Sequence, residues 1–224
     1  MAALMTSVID NPGKVAEYIY SCRQMGIKIL PPDINHGYSS FSVDNGSIRY
    51  GLAAIKSIGR PVIKEIVAER KANGEFKNLK DFIERMSGKD INKRTIENFI
   101  KSGAFDELGG TRKQFMVIYV QILDQVNREK KNSMTGQMSL FDIVGEEQKS
   151  EFDIPLPNVG EYEKSTKLAF EKEVLGIYLS GHPMEEYEEQ WRKGISKTTQ
   201  DFQFDEELGF SRVRDGATEI IGGI

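Results

Sequence analysis

Glycine cuts the middle of this chain into pieces that only a set of small, mutually packed helices can accommodate. From residue 51 to 131 apolar residues recur at helical spacing, and Gly59, Gly74, Gly88, Gly103, Gly109 and Gly110 interrupt them. Glycine takes the positive φ at which helices stop at little steric cost. The spacing predicts helices over 51–56, 60–73, 79–86, 92–102 and a longer one near 112–131. Isolated helices this short are marginal in water, so each must bury an apolar stripe against the others.

Other signals flank this series. Asn11-Pro12 reads as an N-cap followed by proline at the first helical position, and Val15, Tyr18, Ile19, Cys22 and Met25 continue at helical spacing to Gly26. Ile27–Leu30 is a short extended run ended by Pro31-Pro32. Phe41-Ser42-Val43 and Ile48-Arg49-Tyr50 surround Asp44-Asn45-Gly46, a hairpin signal. Residues 132–160 are polar, hold Pro155 and Pro157, and read as a linker. A helix follows from about Tyr162 to Tyr178, then Gly181-His182-Pro183 and a short acidic helix to Trp191. The final run, Ala217 to Ile224, reads as a strand that stops before it has a partner, so the chain looks cut.

Charge is distributed unevenly. Residues 49–131 hold 18 Lys and Arg against 11 Asp and Glu, whereas residues 132–224 hold 9 against 19. A basic segment followed by an acidic one suggests an anion-binding part joined to one that is not, although solvated helix faces produce such counts too. One cysteine, Cys22, permits no internal disulfide and suits a reducing cytoplasm. Two histidines give no metal-site spacing, and no apolar run approaches the ~20 residues that span a bilayer.

The stretch Gly51–Ile66 has the form of a helix-hairpin-helix. Leu52 and Ile55 would pack onto Val62, Ile63 and Ile66, and the turn Ser57-Ile58-Gly59 would leave backbone N–H groups at a helix start. Such donors at a positive helix end suit a phosphate, with Arg60 and Lys64 adding charge. A second candidate is Ile96–Asp106, with Lys101, Ser102 and Gly103 at its turn. Contacts of this kind read the DNA backbone and not the base sequence. An ordinary helical bundle with glycine turns has the same spacing. Asp33 has no carboxylate partner at useful spacing and reads as a turn residue. His182 reads as a turn former, and Arg49 as either hairpin packing or a DNA contact.

In the polar segment after the helices, Gln137-Met138-Ser139-Leu140-Phe141 offers a Leu-Phe pair with no helical period to bury it. It resembles the peptide with which bacterial polymerases and repair proteins hold the ring-shaped sliding clamp. Five further stretches resemble the alpha subunit of bacterial DNA polymerase III in family order. These are Met1–Ser7, Ile29–Asn35, Ile48–Lys56, Ile100–Asp106 and Glu173–Pro183. The family usually has glycine where Ser57 stands.

The resemblance implies a mainly α chain. It would comprise the end of a fingers domain (1–37), a tandem helix-hairpin-helix domain with a small β-hairpin (38–131) and a flexible linker carrying the clamp peptide (132–160). Connecting helices and the truncated first strand of an OB-fold β-barrel would follow (161–224). It implies DNA contacts at Ser57, Ile58, Gly59, Arg60, Lys64, Lys101, Ser102 and Gly103. Clamp contacts would be Gln137, Leu140 and Phe141, with Ser139 a smaller one. Partners would be double-stranded DNA, the sliding clamp (beta subunit) and other holoenzyme subunits, with no membrane. The family's catalytic palm, which holds Mg²⁺, would lie upstream of Met1, so the chain is expected to carry no cofactor and no catalytic residue, and to be inactive alone. A non-catalytic adaptor that recruits the clamp in repair is the alternative.

Overall fold

Asparagine starts three of the helices, in each case by accepting a hydrogen bond from the backbone three residues on. Asn11 takes the Lys14 N–H ahead of α2 (Pro12–Gln24), Asn78 the Asp81 N–H ahead of α4 (Leu79–Met86), and Asn92 the Thr95 N–H ahead of α5 (Lys93–Ser102). A reciprocal box opens α6 (Arg112–Met134): the Thr111 N–H donates to Gln114 Oε1 and the Gln114 N–H to Thr111 Oγ1. The other α-helices among the described residues are α1 (Ala2–Ser7), α3 (Arg60–Asn73), α7 (Lys164–Leu175) and α8 (Glu188–Gly194). This computed structural model describes residues 1–134, 154–205 and 209–222.

A small sheet joins the helices, in the order β1-β3-β2. Strand β1 (Ile29–Leu30) pairs parallel with β3 (Ser47–Arg49), and β2 (Ser42–Asp44) antiparallel with it. The β2–β3 turn has Asn45 at φ 47° and Gly46 at φ 79°, two successive positive values that suit the twist of a tight hairpin. Gly51, just after β3, lies so close to the 39–41 backbone that a Cβ would come within 2.9 Å of Phe41 N.

The chain divides into two units, 1–180 and 181–224. In the first, buried residues from Met5 to Leu179 form one continuous core. Its centre is a series of edge-to-face rings running Phe76–Phe82–Phe105–Phe115, with Phe99 beside them and centroids 4.9 to 6.5 Å apart. The core crosses residue 37, since Ile34 N–H donates to Ala104 O and Asn35 Nδ2 to Phe76 O. Arg85 closes the α3–α4 corner. It lies over the Phe76 ring at 4.3 Å and donates to the carbonyls of Glu69, Gly74 and Glu75.

Two buried charges hold α5, α6 and α7 together. Arg112, 4 % exposed, donates to Asp106 from Nε at 3.0 Å and from Nη2 at 2.9 Å, and from Nη1 to the Lys101 carbonyl and to Glu171 at 3.3 Å. Glu171, 1 % exposed, also accepts the Leu179 and Ser180 N–H groups, each at 2.9 Å. Burial works to lower the Arg112 pKa, and Asp106 and Glu171 outweigh it and hold the guanidinium charged.

Several elements differ from the sequence reading. The stretch 51–56 is one 3-10 turn, Leu52–Ala54, since Ile55 leaves helical geometry at ψ 124°. The 162–178 helix is shorter, ending where Gly176 turns to φ 78°. Residues 154–160 of the expected flexible linker pack against the first unit: Gln114 Nε2 donates to Pro157 O, Thr111 Oγ1 to Gly160 O, and Ile154 lies against the core. The described part of the final run, 217–222, is not a strand. Ile220 exchanges bonds with Ser196 and accepts the Lys197 N–H, without a strand ladder. The second unit's described ladder is instead β4 (Phe204–Asp205) with β5 (Phe210–Ser211), and no barrel closes among the described residues.

Replacing Glu171 by leucine strands the Leu179 and Ser180 donors and half of the Arg112 charge. We expect a loss of about 3–5 kcal/mol in urea unfolding, and a smaller one for Glu171→Gln. Glu69 provides a pH test. Lys89 chiefly, with Asn73 and Arg85, holds its carboxyl down to about 2 from 4.5, against burial. A depressed folded pKa gives stability that is present above pH 4.5 and lost as pH falls toward 2. Thermal melts across that window should show a shallower acid decline for Glu69→Gln than for the unaltered chain.

Candidate nucleic-acid interface

The turn at 56–60 has the features of a phosphate seat. Leu52, Ile55, Ile63 and Ile66 are at most 1 % exposed, with Ile58 and Val62 also buried, so the 3-10 turn and α3 face each other across an apolar contact. That contact leaves the connecting residues Ser57, Gly59 and Arg60 on the surface. Helix α3 begins at Gly59 without a side-chain cap, and Pro61 has no N–H. The first-turn N–H groups of Arg60 and Val62 thus have no cap side chain to satisfy them, at the positive end of a 14-residue helix.

The turn is held from two sides. Asn98 Nδ2 of α5 donates to the Lys56 carbonyl at 2.7 Å, and the Lys56 N–H donates to the Val174 carbonyl of α7 at 2.8 Å. Ser57 adopts φ 62°, a left-handed conformation that costs a side-chain-bearing residue free energy. Ile58 directs its side chain inward and its N–H to Ile55 O, so it anchors the turn and does not line it. Arg60 pairs with Asp10 at 3.3 Å, both strongly exposed, a contact that contributes little. Lys64, one turn further along α3, is exposed, as is Lys56.

Lys101, Ser102 and Gly103 end differently. The Lys101 ammonium sits between Glu97 and Glu173, each 2.8 Å away, and over the Phe170 ring. Burial works against the ammonium's proton, but the two carboxylates prevail and hold its pKa above the ordinary value. Ser102 is 1 % exposed and donates to Phe99 O. Gly103, at φ 81°, ends α5 by donating to Ile100 O while Ala104 N–H donates to Phe99 O. A Cβ on Gly103 would lie 2.2 Å from Arg112 Nη2. The side chain of Ser102 and the N–H of Gly103 are thus spent inside the fold, because this turn closes onto the Arg112 network.

The remaining candidates are also placed. Asp33 is buried and accepts the Asn35 and His36 N–H groups, a turn role. Arg49 pairs with Asp44 at 2.7 Å within the hairpin. His182 accepts the Met184 N–H at the turn before α8. Gln137, Ser139, Leu140 and Phe141 lie outside the described residues. No group of three or more His, Cys, Asp or Glu among the described residues is arranged for a metal ion, and no described helix is long and apolar enough to cross a membrane. The turn pattern does not single out Lys56 or Asn98. The signal for Asn98 is its place with Thr95, Phe99 and Ser102, all buried at i, i+3, i+4 and i+7 spacing on one face of α5.

Residues 26–115 match the helix-hairpin-helix motif family. The chain is 39% identical over 184 residues to DNA polymerase III subunit alpha of Mycobacterium leprae, covering 82% of this chain and 16% of that protein. It is 39% identical over 187 residues to the same subunit of Borreliella burgdorferi, 84% of this chain. With the Escherichia coli subunit it shares 38% identity over 188 residues, again 84% of this chain. It spans 16% of the length of each of these relatives.

The left-handed Ser57 yields a direct test. Ser57→Gly removes the strain at φ 62°, and the melting temperature should rise by about 2–4 °C, for a net gain near 1 kcal/mol.

Proposed function

This chain is homologous to one segment of bacterial DNA polymerase III subunit alpha, and we propose that it serves a replicative DNA polymerase by gripping duplex DNA and tethering the enzyme to the sliding clamp. In this reading residues 1–37 end a fingers domain and 38–131 form a tandem helix-hairpin-helix domain. Residues 132–160 carry the clamp peptide, and 161–224 lead into an OB-fold. The chain acts in the cytoplasm beside other holoenzyme subunits, while nucleotidyl transfer and its Mg²⁺ belong to a palm domain outside this segment.

The observation that carries the DNA half is the turn at 56–60. The first-turn N–H groups of Arg60 and Val62 stand at an uncapped helix start, with Lys56, Arg60 and Lys64 exposed around them. Such a site takes a phosphate by backbone donors and charge together, whatever the base sequence. Ser57, Gly59, Arg60 and Lys64 are the contacts we assign, with Ile58 fixing the turn beneath them. At the second turn Lys101 has the nearest charge, and its two carboxylates make it the weaker contributor.

For the clamp half, Gln137, Leu140 and Phe141 are the anchors and Ser139 a smaller contact. Weak phosphate contacts let duplex slide while a separate hydrophobic anchor prevents escape. Two tethered weak sites give long residence through effective concentration.

Two measurements test the halves separately. Duplex binding by the full chain should weaken as salt rises, and Lys64→Ala should lower the slope of log K against log salt by about one; an affinity indifferent to salt would refute the grip. Binding to purified sliding clamp should disappear when Leu140 and Phe141 are both changed to alanine, a cost of about 2 kcal/mol or more for a hot spot. Retained clamp binding in that variant would remove the tether.

A further inference from the structure

Helix α7 begins more than thirty residues after the proposed DNA-gripping segment ends, yet its C-terminal end meets that segment's turn. The last carbonyls of a helix have no intrahelical donor and must find one elsewhere. At the end of α7 two of them find it in the first hairpin. Val174 O accepts the Lys56 N–H at 2.8 Å, and Leu175 O accepts the buried Tyr50 hydroxyl at 3.3 Å. From the opposite side Asn98 Nδ2, on a residue only 7 % exposed, donates to Lys56 O at 2.7 Å. Both polar groups of one peptide residue are therefore fixed by partners from two different helices, next to the strained Ser57.

We propose that Asn98 and the Val174 carbonyl are positioning groups for the phosphate-binding turn: by clamping the Lys56 backbone between α5 and α7, they set the direction in which the donors of residues 57–62 point. The proposal rests on the DNA-grip reading. Neither group touches DNA, and each acts through Lys56. A free turn at a left-handed residue would sample other directions, and each productive encounter would then cost ordering entropy. The clamp is also why α7, whose sequence is neither basic nor rich in turn residues, bears on DNA binding. Its own end depends on the turn, and the turn depends on it.

The test uses the full chain and a short duplex, with Asn98→Leu, Asn98→Asp and Lys64→Ala. Leucine keeps the volume and removes the donor, whereas aspartate replaces the donor with a second acceptor facing Lys56 O. Each variant is first melted to establish cooperative unfolding, and the backbone amide resonances of Ser57, Gly59, Arg60 and Val62 are then followed as duplex is added.

We expect Asn98→Leu and Asn98→Asp to bind about tenfold more weakly, the scale of one lost charge-assisted contact. Their turn amides should no longer shift, while the salt slope stays that of the unaltered chain. Lys64→Ala should do the reverse, lowering the slope by about one with the turn amides still responding. If Lys64→Ala behaves so and both Asn98 variants bind and shift like the unaltered chain, the positioning role is overturned and the grip stands. If the unaltered chain gives no salt-dependent binding, the grip reading itself fails and this inference falls with it. Should Asn98→Leu not fold, Asn98→Asp decides between the same outcomes. Should neither fold, the amide directions of the unaltered turn are compared with those in Tyr50→Phe, which removes a single neighbouring bond; retention of a full amide response with tenfold weaker binding would likewise overturn the role.

Discussion

A carboxylate almost wholly removed from solvent must have its charge answered within the fold, and Glu171 imposes that demand on the first unit. Its two oxygens take the Arg112 guanidinium and the N–H groups of Leu179 and Ser180. Arg112 in turn takes Asp106 and the Lys101 carbonyl. A single buried anion thus fixes the start of α6, the end of α5, the body of α7 and the 176–180 segment that follows. A hydrophobic contact would tolerate some sliding between these helices, whereas this set of directional bonds does not. The 176–180 segment is then tied to α2 as well, because Arg23 donates to Leu179 O at 3.0 Å.

The turns at 57–59 and 102–104 end in different ways. At Ser57-Ile58-Gly59 Ile58 is buried and its N–H returns to Ile55 O, while Ser57 and Gly59 are exposed. At Ser102-Gly103-Ala104 the backbone donors return to α5 and the glycine makes room for Arg112. One turn keeps Ser57 and Gly59 at the surface, and the other is an internal joint. The difference lies in what packs on each: the first meets α7 by its Lys56 backbone, and the second meets the guanidinium of Arg112.

Much of this is local and was therefore legible in the residues. Asn11 caps α2 by a bond made within three residues, and Asn45-Gly46 turns the hairpin through its own φ preferences. The boundaries of α3 and α4 coincide with glycine and asparagine for the same reason. The role of Lys101 was not legible, because Glu173 lies 72 residues away and only the fold brings it to the ammonium. Residues 154–160 look like linker by composition, yet Gln114 and Thr111 bind their carbonyls. The run 217–222 has the composition of a strand, but a strand also needs a ladder, and composition does not supply one.

The bond from the Tyr50 hydroxyl to Leu175 O closes a span of 125 residues. On a ribosome adding ~5–20 residues per second, that is about 6–25 seconds between the tyrosine and its acceptor. For that interval the hairpin can assemble its apolar contact from Leu52, Ile55 and Ile63, all between residues 52 and 63, while the Lys56 N–H still lacks Val174. The turn at 56–60 can thus form its apolar contact before its Lys56 N–H has its partner on α7. Order of synthesis gives this part of the molecule two stages of maturity.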